Sequence, residues 1–207
     1  MQPHADAAPR PGRPRTVSDR DLIDAFLRVH LDGDPARWTL ADVARDAGVV
    51  PATIVQRFGS KRGLMERALQ QGLADLEIGV AAAVERAPDD WRAGLDGVIA
   101  VLVPQDLSPR QMANSIAQLY VELSDPGLRP WVERHMTVAA AAFETVLAWG
   151  GRGGDLRDAP GIALGEVATT AWSGAVVRFA ITGSGSSRAW VTRAVEEVLA
   201  PYLNRST

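Results

Sequence analysis

Apolar residues recur along this chain at helical intervals, and start and stop signals cut the pattern into segments. Ser18, with Asp21 three residues on, has the form of a capping box and opens a helix to about residue 31. Leu22, Ile23, Phe26, Leu27 and Val29 form its buried face, and Asp32-Gly33-Asp34-Pro35 breaks it. Thr39 with Asp42 repeats the capping pattern and starts a second helix carrying Val43, Ala44 and Ala47. Gly48 turns the chain, and a third short helix is predicted over Pro51 to Phe58. Ser60 caps a fourth helix, which runs through Leu64, Ala68, Leu69 and Leu73 to about residue 86.

The helical pattern continues over 91–103. It restarts at Ser108-Pro109-Arg110-Gln111, a cap with proline in the first turn and glutamine three past the cap. Met112, Ile116, Leu119, Tyr120 and Leu123 follow at helical spacing, and Asp125-Pro126-Gly127 ends that segment. A long helix is predicted over 130–149, closed by Gly150-Gly151-Arg152-Gly153-Gly154 as a flexible linker. Two more helices, about 160–181 and 187–203, flank Gly183-Ser184-Gly185-Ser186. No strand-type alternation or repeat stands out, so the predicted fold class is all-α. Residues 1–16 are rich in Pro, Ala, Gly and Arg and read as a flexible basic arm.

Composition narrows the possibilities. With 207 residues, 46% of them hydrophobic, the chain can bury a sizeable core. It has no cysteine, which removes disulfides and cysteine-bound metal and fits a reducing cytoplasm. No apolar run reaches the roughly 20 residues of a membrane span, and the N-terminus lacks the apolar core of a secretory signal. A soluble cytoplasmic protein without a membrane partner is expected. The net charge of −3 is unevenly spread: residues 1–72 carry 11 Arg or Lys against 9 Asp or Glu, and residues 73–207 carry 11 against 16. A chain polarised in this way can bind DNA through one face while the rest stays acidic.

The stretch from Thr39 to Lys61, TLADVARDAGVVPATIVQRFGSK, carries the sharpest signal. Ala44 lets two helices approach, Gly48 supplies the bend, and Val43, Ala47, Val49 and Ile54 supply apolar contacts at the corner. This is the arrangement of a helix-turn-helix, with Pro51 to Phe58 offered to the DNA major groove. GRPR, a first helix with Phe26, TLADVARDAGV, a short helix ending in Arg57-Phe58, and GSK before a fourth helix together resemble the DNA-binding domain of the TetR family of transcriptional regulators. The resemblance covers about the first 70 residues. It implies a helix-turn-helix domain over 17–72 and a larger helical domain over 73–207 that binds a small ligand and forms a homodimer. The function it implies is a ligand-responsive regulator, usually a repressor. Val50, Val55 and Arg57 depart from the Ser or Thr cap, the tyrosine and the histidine common in the family. Val50 lacks a capping hydroxyl, a loss of about 1 kcal/mol that Pro51 in the first turn offsets in part.

Candidate site residues follow. Lys61, the chain's one lysine, starts the fourth helix, where backbone amides also attract phosphate; the alternative is a solvated surface lysine. Thr53 and Gln56 share one face of the third helix, where Gln can read adenine and the Thr methyl can meet thymine; the alternative is a surface pair touching no base. Pro51 and Ala52 would meet bases by apolar contact, and Thr39 and Arg57 are assigned to phosphates. Arg10, Arg13 and Arg15 either enter the neighbouring minor groove or form a tail with nonspecific attraction.

In the second domain Met112, Ile116, Tyr120, Trp131, His135 and Phe143 are candidates to line a pocket for a small, mostly apolar effector; core packing is the alternative for each. Ala168, Trp172, Ala175, Val176 and Phe179, with Val191, Val195 and Val198, are candidates for a four-helix dimer interface, and a monomer core is the alternative. No nucleophile elbow, phosphate loop or histidine pair is present, so no catalytic residue, metal or cofactor is assigned and the chain is not read as an enzyme. The alternative function is a helical small-molecule-binding protein whose helix-turn-helix is only structural.

Overall fold

The computed structural model describes residues 17–35, 37–88, 90–157 and 162–204. Among these, nine α-helices follow one another: α1 (Asp19–Asp32), α2 (Leu40–Ala47), α3 (Pro51–Phe58), α4 (Lys61–Arg86), α5 (Trp91–Leu102), α6 (Pro109–Ser124), α7 (Arg129–Arg152), α8 (Leu164–Thr182) and α9 (Ser187–Leu199). A single 3-10 turn, Ala200–Tyr202, follows α9. The arm over 1–16, with Arg10, Arg13 and Arg15, lies outside the described residues, as does the expected start of α8 at 160.

The polar start signals work as the sequence implies. Ser18, Thr39 and Ser108 each accept from the backbone N–H three residues on, and Asp21, Asp42 and Gln111 each return a bond to the cap backbone. Two N-terminal backbone donors of each helix are thereby satisfied, which sets where α1, α2 and α6 begin. Gly48 adopts φ 68, a left-handed conformation that needs glycine, and Val49 N–H then reaches Ala44 O at 2.9 Å.

Two apolar cores result. Leu22, Phe26, Trp38, Val43, Ala44, Ile54, Leu64 and Met65 pack α1–α3 against the start of α4, and Leu128, just before α7, joins them. The second core gathers Trp91, Leu95, Val98, Phe143, Val146, Ala168, Val191 and Val195, with Val80 and Val84 from the far end of α4 against it. The 26-residue α4 therefore contributes to both cores.

The glycine run at the end of α7 is not the linker its composition implies. α7 continues through Arg152, and Gly150 is buried. A Cβ at Gly150 would stand 2.7 Å from Leu156 Cδ1 and 3.1 Å from Trp91 Cγ, so glycine here allows close packing inside a helix. Gly154, at φ 80, makes the turn, and the chain then pairs with its own C-terminal segment through Arg157 N–H to Tyr202 O and Asn204 N–H to Asp155 O.

Candidate nucleic-acid interface

α3 presents its outer side to solvent because one residue anchors it. Ile54 is fully buried, while Pro51, Ala52, Val55, Gln56 and Arg57 are exposed and Thr53 and Phe58 are half-buried. At about 100° per residue, Ala52 and Gln56 point away from Ile54, with Thr53 and Val55 on either flank. Gln56 has no hydrogen-bond partner among the described residues, so its amide can meet a base edge without losing an internal bond. Val50 caps α3 without a side-chain bond, as its sequence implies, and is 64% exposed.

The phosphate candidates are more constrained. Arg57 Nη1 donates to Asp19 Oδ1 at 3.0 Å, an exposed ion pair across to the first turn of α1. Such a pair has little net strength in water and exchanges readily for a phosphate. Thr39 Oγ1 donates to Asp42 Oδ2 at 2.7 Å and accepts from Asp42 N–H at 3.2 Å. Its hydroxyl is occupied in capping α2, and a phosphate would have to displace Asp42.

Lys61 is half-buried. Its Nζ donates to Trp38 O at 2.6 Å and sits 3.8 Å from the centre of the Trp38 ring. Burial holds the ammonium below the usual lysine range, opposed by the charge of Asp42. One of its three donors is used, and two remain for an incoming anion. Trp38 itself is 4% exposed, packs against Phe26 with ring centres 4.9 Å apart, and donates from Nε1 to Gln118 Oε1 at 3.3 Å. Neither Trp38 nor Gln118 carries a motif; a tryptophan directly before the Thr39 cap was the available signal.

Residues 22–68 match the family model of the bacterial regulatory proteins of the tetR family. These are α1 from its second turn, α2, α3 and the first turns of α4, the elements that hold Ile54 inward and Gln56 outward. Residues 22–68 thus carry the TetR-family pattern.

A relative from Burkholderia thailandensis, the HTH-type transcriptional regulator BetI, is 35% identical over 86 residues, 42% of this chain and 44% of that protein. The chain thus matches less than half the length of such relatives. Solved TetR-family structures extend the likeness in fold over most of the chain. A TetR transcription regulator from Haloarcula marismortui covers 90% of this chain and 98% of its own, with a TM-score of 0.71 at 15% identity. A transcriptional regulator from Saccharomonospora viridis, solved with choline, covers 90% and 98%, with a TM-score of 0.67 at 18% identity.

The pocket candidates on α6 and α7 do not share one environment. Met112 and Phe143 are buried, Phe143 within the second core, and Ile116, Trp131 and His135 are half-buried. Tyr120 is 73% exposed. Residues four apart rotate by about 40° per step, and this drift carries Tyr120 beyond the inner face that Met112 and Ile116 occupy. Burial alone lowers the His135 pKa and favours its neutral form. Trp172 Nε1 is buried with no partner among the described residues.

The dimer candidates separate in the same way. Ala168, Ala175, Phe179, Val191 and Val195 are buried inside the protomer, and Trp172, Val176 and Val198 are half-buried. They join α8 and α9 to each other and to the second core, with Phe179 edge-on to Trp190 at 5.8 Å. The apolar side chains that α8 leaves in solvent are Val177 and Ile181. Among the described residues no cluster of metal-binding side chains occurs, and no helix is long and apolar enough to cross a membrane.

Glu122 is a titratable group that the sequence did not single out. It is 9% exposed, and its Oε1 accepts from Gln118 Nε2 at 3.0 Å. Burial pushes its carboxyl above the usual glutamate range, and the bond from Gln118 opposes this. Because the folded pKa is raised, the contribution to stability is full below an unfolded glutamate's value of about 4.3 and is lost as pH rises through the folded value. Glu122→Gln removes that loss. Urea unfolding at acid and neutral pH should show the variant gaining on wild type as pH rises; a gap independent of pH would contradict this.

Proposed function

We propose that this chain is a DNA-binding transcriptional regulator that places one α3 per subunit in each of two successive major grooves of a roughly palindromic operator. The observation that carries the reading is the outward pole of α3: Ala52 and Gln56 stand opposite the buried Ile54, with Gln56 free of internal partners. Gln56 reads a base, Thr53 and Pro51 bound the contact, and Lys61 and Arg57 hold phosphate on either side. The tetR-family model that residues 22–68 match supports the same reading. The exposed Val50 and Val55 support the alternative, a helical binding protein that makes no use of α3.

Dimerisation supplies the second α3. The outer face of α8 carries Thr170, Gly174, Val177 and Ile181 at helical spacing, all exposed, and this face is the proposed meeting surface. The buried residues named above support it from behind. An effector in the second domain would act by binding the two conformations unequally, and a coupling of about 1–3 kcal/mol would change DNA affinity about 5- to 150-fold. Release of DNA, and hence repression, is the proposed direction. The apolar Met112 and Ile116 with the unpartnered Trp172 N–H suit an effector with an apolar body and one hydrogen-bond acceptor. The choline bound by the S. viridis regulator shows what that protein holds, and at 18% identity this chain shares its fold.

Two measurements test the proposal. Selection from random duplex DNA should enrich a palindrome with wild type, and Lys61→Ala should bind the same motif more weakly, with a salt slope lower by about one per subunit. Absence of any enriched motif at low salt would remove the regulator reading in favour of the alternative. Ile181→Asp should convert a sedimenting dimer to monomer; an unchanged mass would remove α8's outer face from the interface.

A further inference from the structure

α6 carries a polar stripe that the pocket reading leaves unused. Gln111, Asn114, Gln118, Glu122 and Asp125 follow at steps of three and four and so share one face, Asp125 lying just past the helix end. Four of the five bond the DNA-binding domain. Gln111 Nε2 donates to Asp32 Oδ1 at 2.7 Å, and Asn114 Nδ2 donates to Leu31 O and Gly33 O at 2.8 and 2.9 Å. Asp125 accepts from Arg62 Nε at 2.9 Å, and Gln118 accepts from Trp38 Nε1. The contacts of Asn114 are part-buried, and those of Gln111 and Asp125 face solvent, where water competes for them. Gln118 and Trp38, each 4% exposed, meet where it does not.

The geometry at Gln118 is directional. Trp38 Nε1 only donates and, as a carboxylate, Glu122 only accepts, so the Gln118 amide has one orientation that satisfies both. On the other side of Trp38, its carbonyl accepts from Lys61 and its ring lies under the same ammonium. A continuous line of contacts therefore runs from Glu122 through Gln118 and Trp38 to Lys61. A shift of α6 either carries Trp38 with it or strands a buried indole N–H, and either outcome moves the seat of Lys61.

We infer that Gln118 is a positioning residue for the backbone contact of Lys61 with DNA, acting through Trp38, and that α6 sets DNA affinity by this route. The inference rests on the DNA-binding reading above, and Lys61, as the chain's one lysine, allows it to be tested apart from that reading. In wild type labelled with ¹³C-lysine, the single ε-methylene signal should lie upfield of an exposed lysine, because it sits over the Trp38 ring. Gln118→Met keeps the volume and removes both bonds; it should move this signal toward the exposed position and weaken binding to the selected duplex about two- to tenfold.

In a Lys61→Ala background the same substitution should cost less than about twofold, because its route to DNA is already cut. The exchange Gln118→Glu with Glu122→Gln restores an acceptor for Trp38 and a donor beside it, and should recover both signal and affinity; this recovery separates positioning from a folding defect. A Lys61 signal that ignores Gln118→Met, or an equal loss of affinity in the Lys61→Ala background, overturns the inference. A wild-type chain that binds no duplex overturns the functional reading itself, and the lysine signal, read without DNA, distinguishes the two failures.

Discussion

The geometry around α3 and Lys61 depends on the burial of one indole. Trp38 sits between α1 and α2, its ring tilted against Phe26, with its carbonyl committed to Lys61 and its indole N–H to Gln118. Breaking either bond leaves a buried group unsatisfied, at a cost of about 1–3 kcal/mol, so the two apolar cores are not joined by α4 alone. The exposed ion pairs Arg20–Asp75 and Arg62–Asp125 add contacts between the same bodies. These pairs are in water and screened by salt, so the buried pair fixes the geometry and the exposed pairs follow it.

This arrangement divides the labour of the proposed interface. α3 needs one buried side chain, Ile54, to orient its outer residues, and the turn at Gly48 sets its angle to α2. Lys61 is seated by contacts from elsewhere, so its position reports on α6 as well as on its own helix. α6 in turn has three distinct sides. Gln111, Asn114 and Gln118 bond the end of α1 and the segment before α2, with Glu122 beside Gln118, Met112 and Ile116 face inward, and Tyr120 and Val121 face solvent. One helix thus stands between any ligand held on its apolar side and the lysine seat on its polar side.

Much of this was legible in the sequence, for local reasons. The capping pairs Ser18–Asp21, Thr39–Asp42 and Ser108–Gln111 act within three residues, so sequence spacing alone identifies them, and the small residue and glycine of the α2–α3 corner are equally local. Long-range partners were not legible. Trp38 and Gln118 are 80 residues apart, and nothing near either announces the other. The glycine run misled because composition cannot distinguish a flexible hinge from close packing, and Gly150 is glycine to admit Leu156. On α8 and α9, small and apolar residues occur on nearly all sides, so the pattern could not tell which face packs inward; Phe179 went in and Ile181 stayed out.

The central claim is that α3 reads bases through Gln56 while Lys61 holds the backbone. The most direct test compares the motifs that wild type and Gln56→Ala select from random duplex DNA. The account predicts one palindrome with the same half-site spacing for both, and loss of base preference at one position in each half-site for the variant. An identical motif from both proteins would contradict it, because the outward pole of α3 would then not be reading sequence.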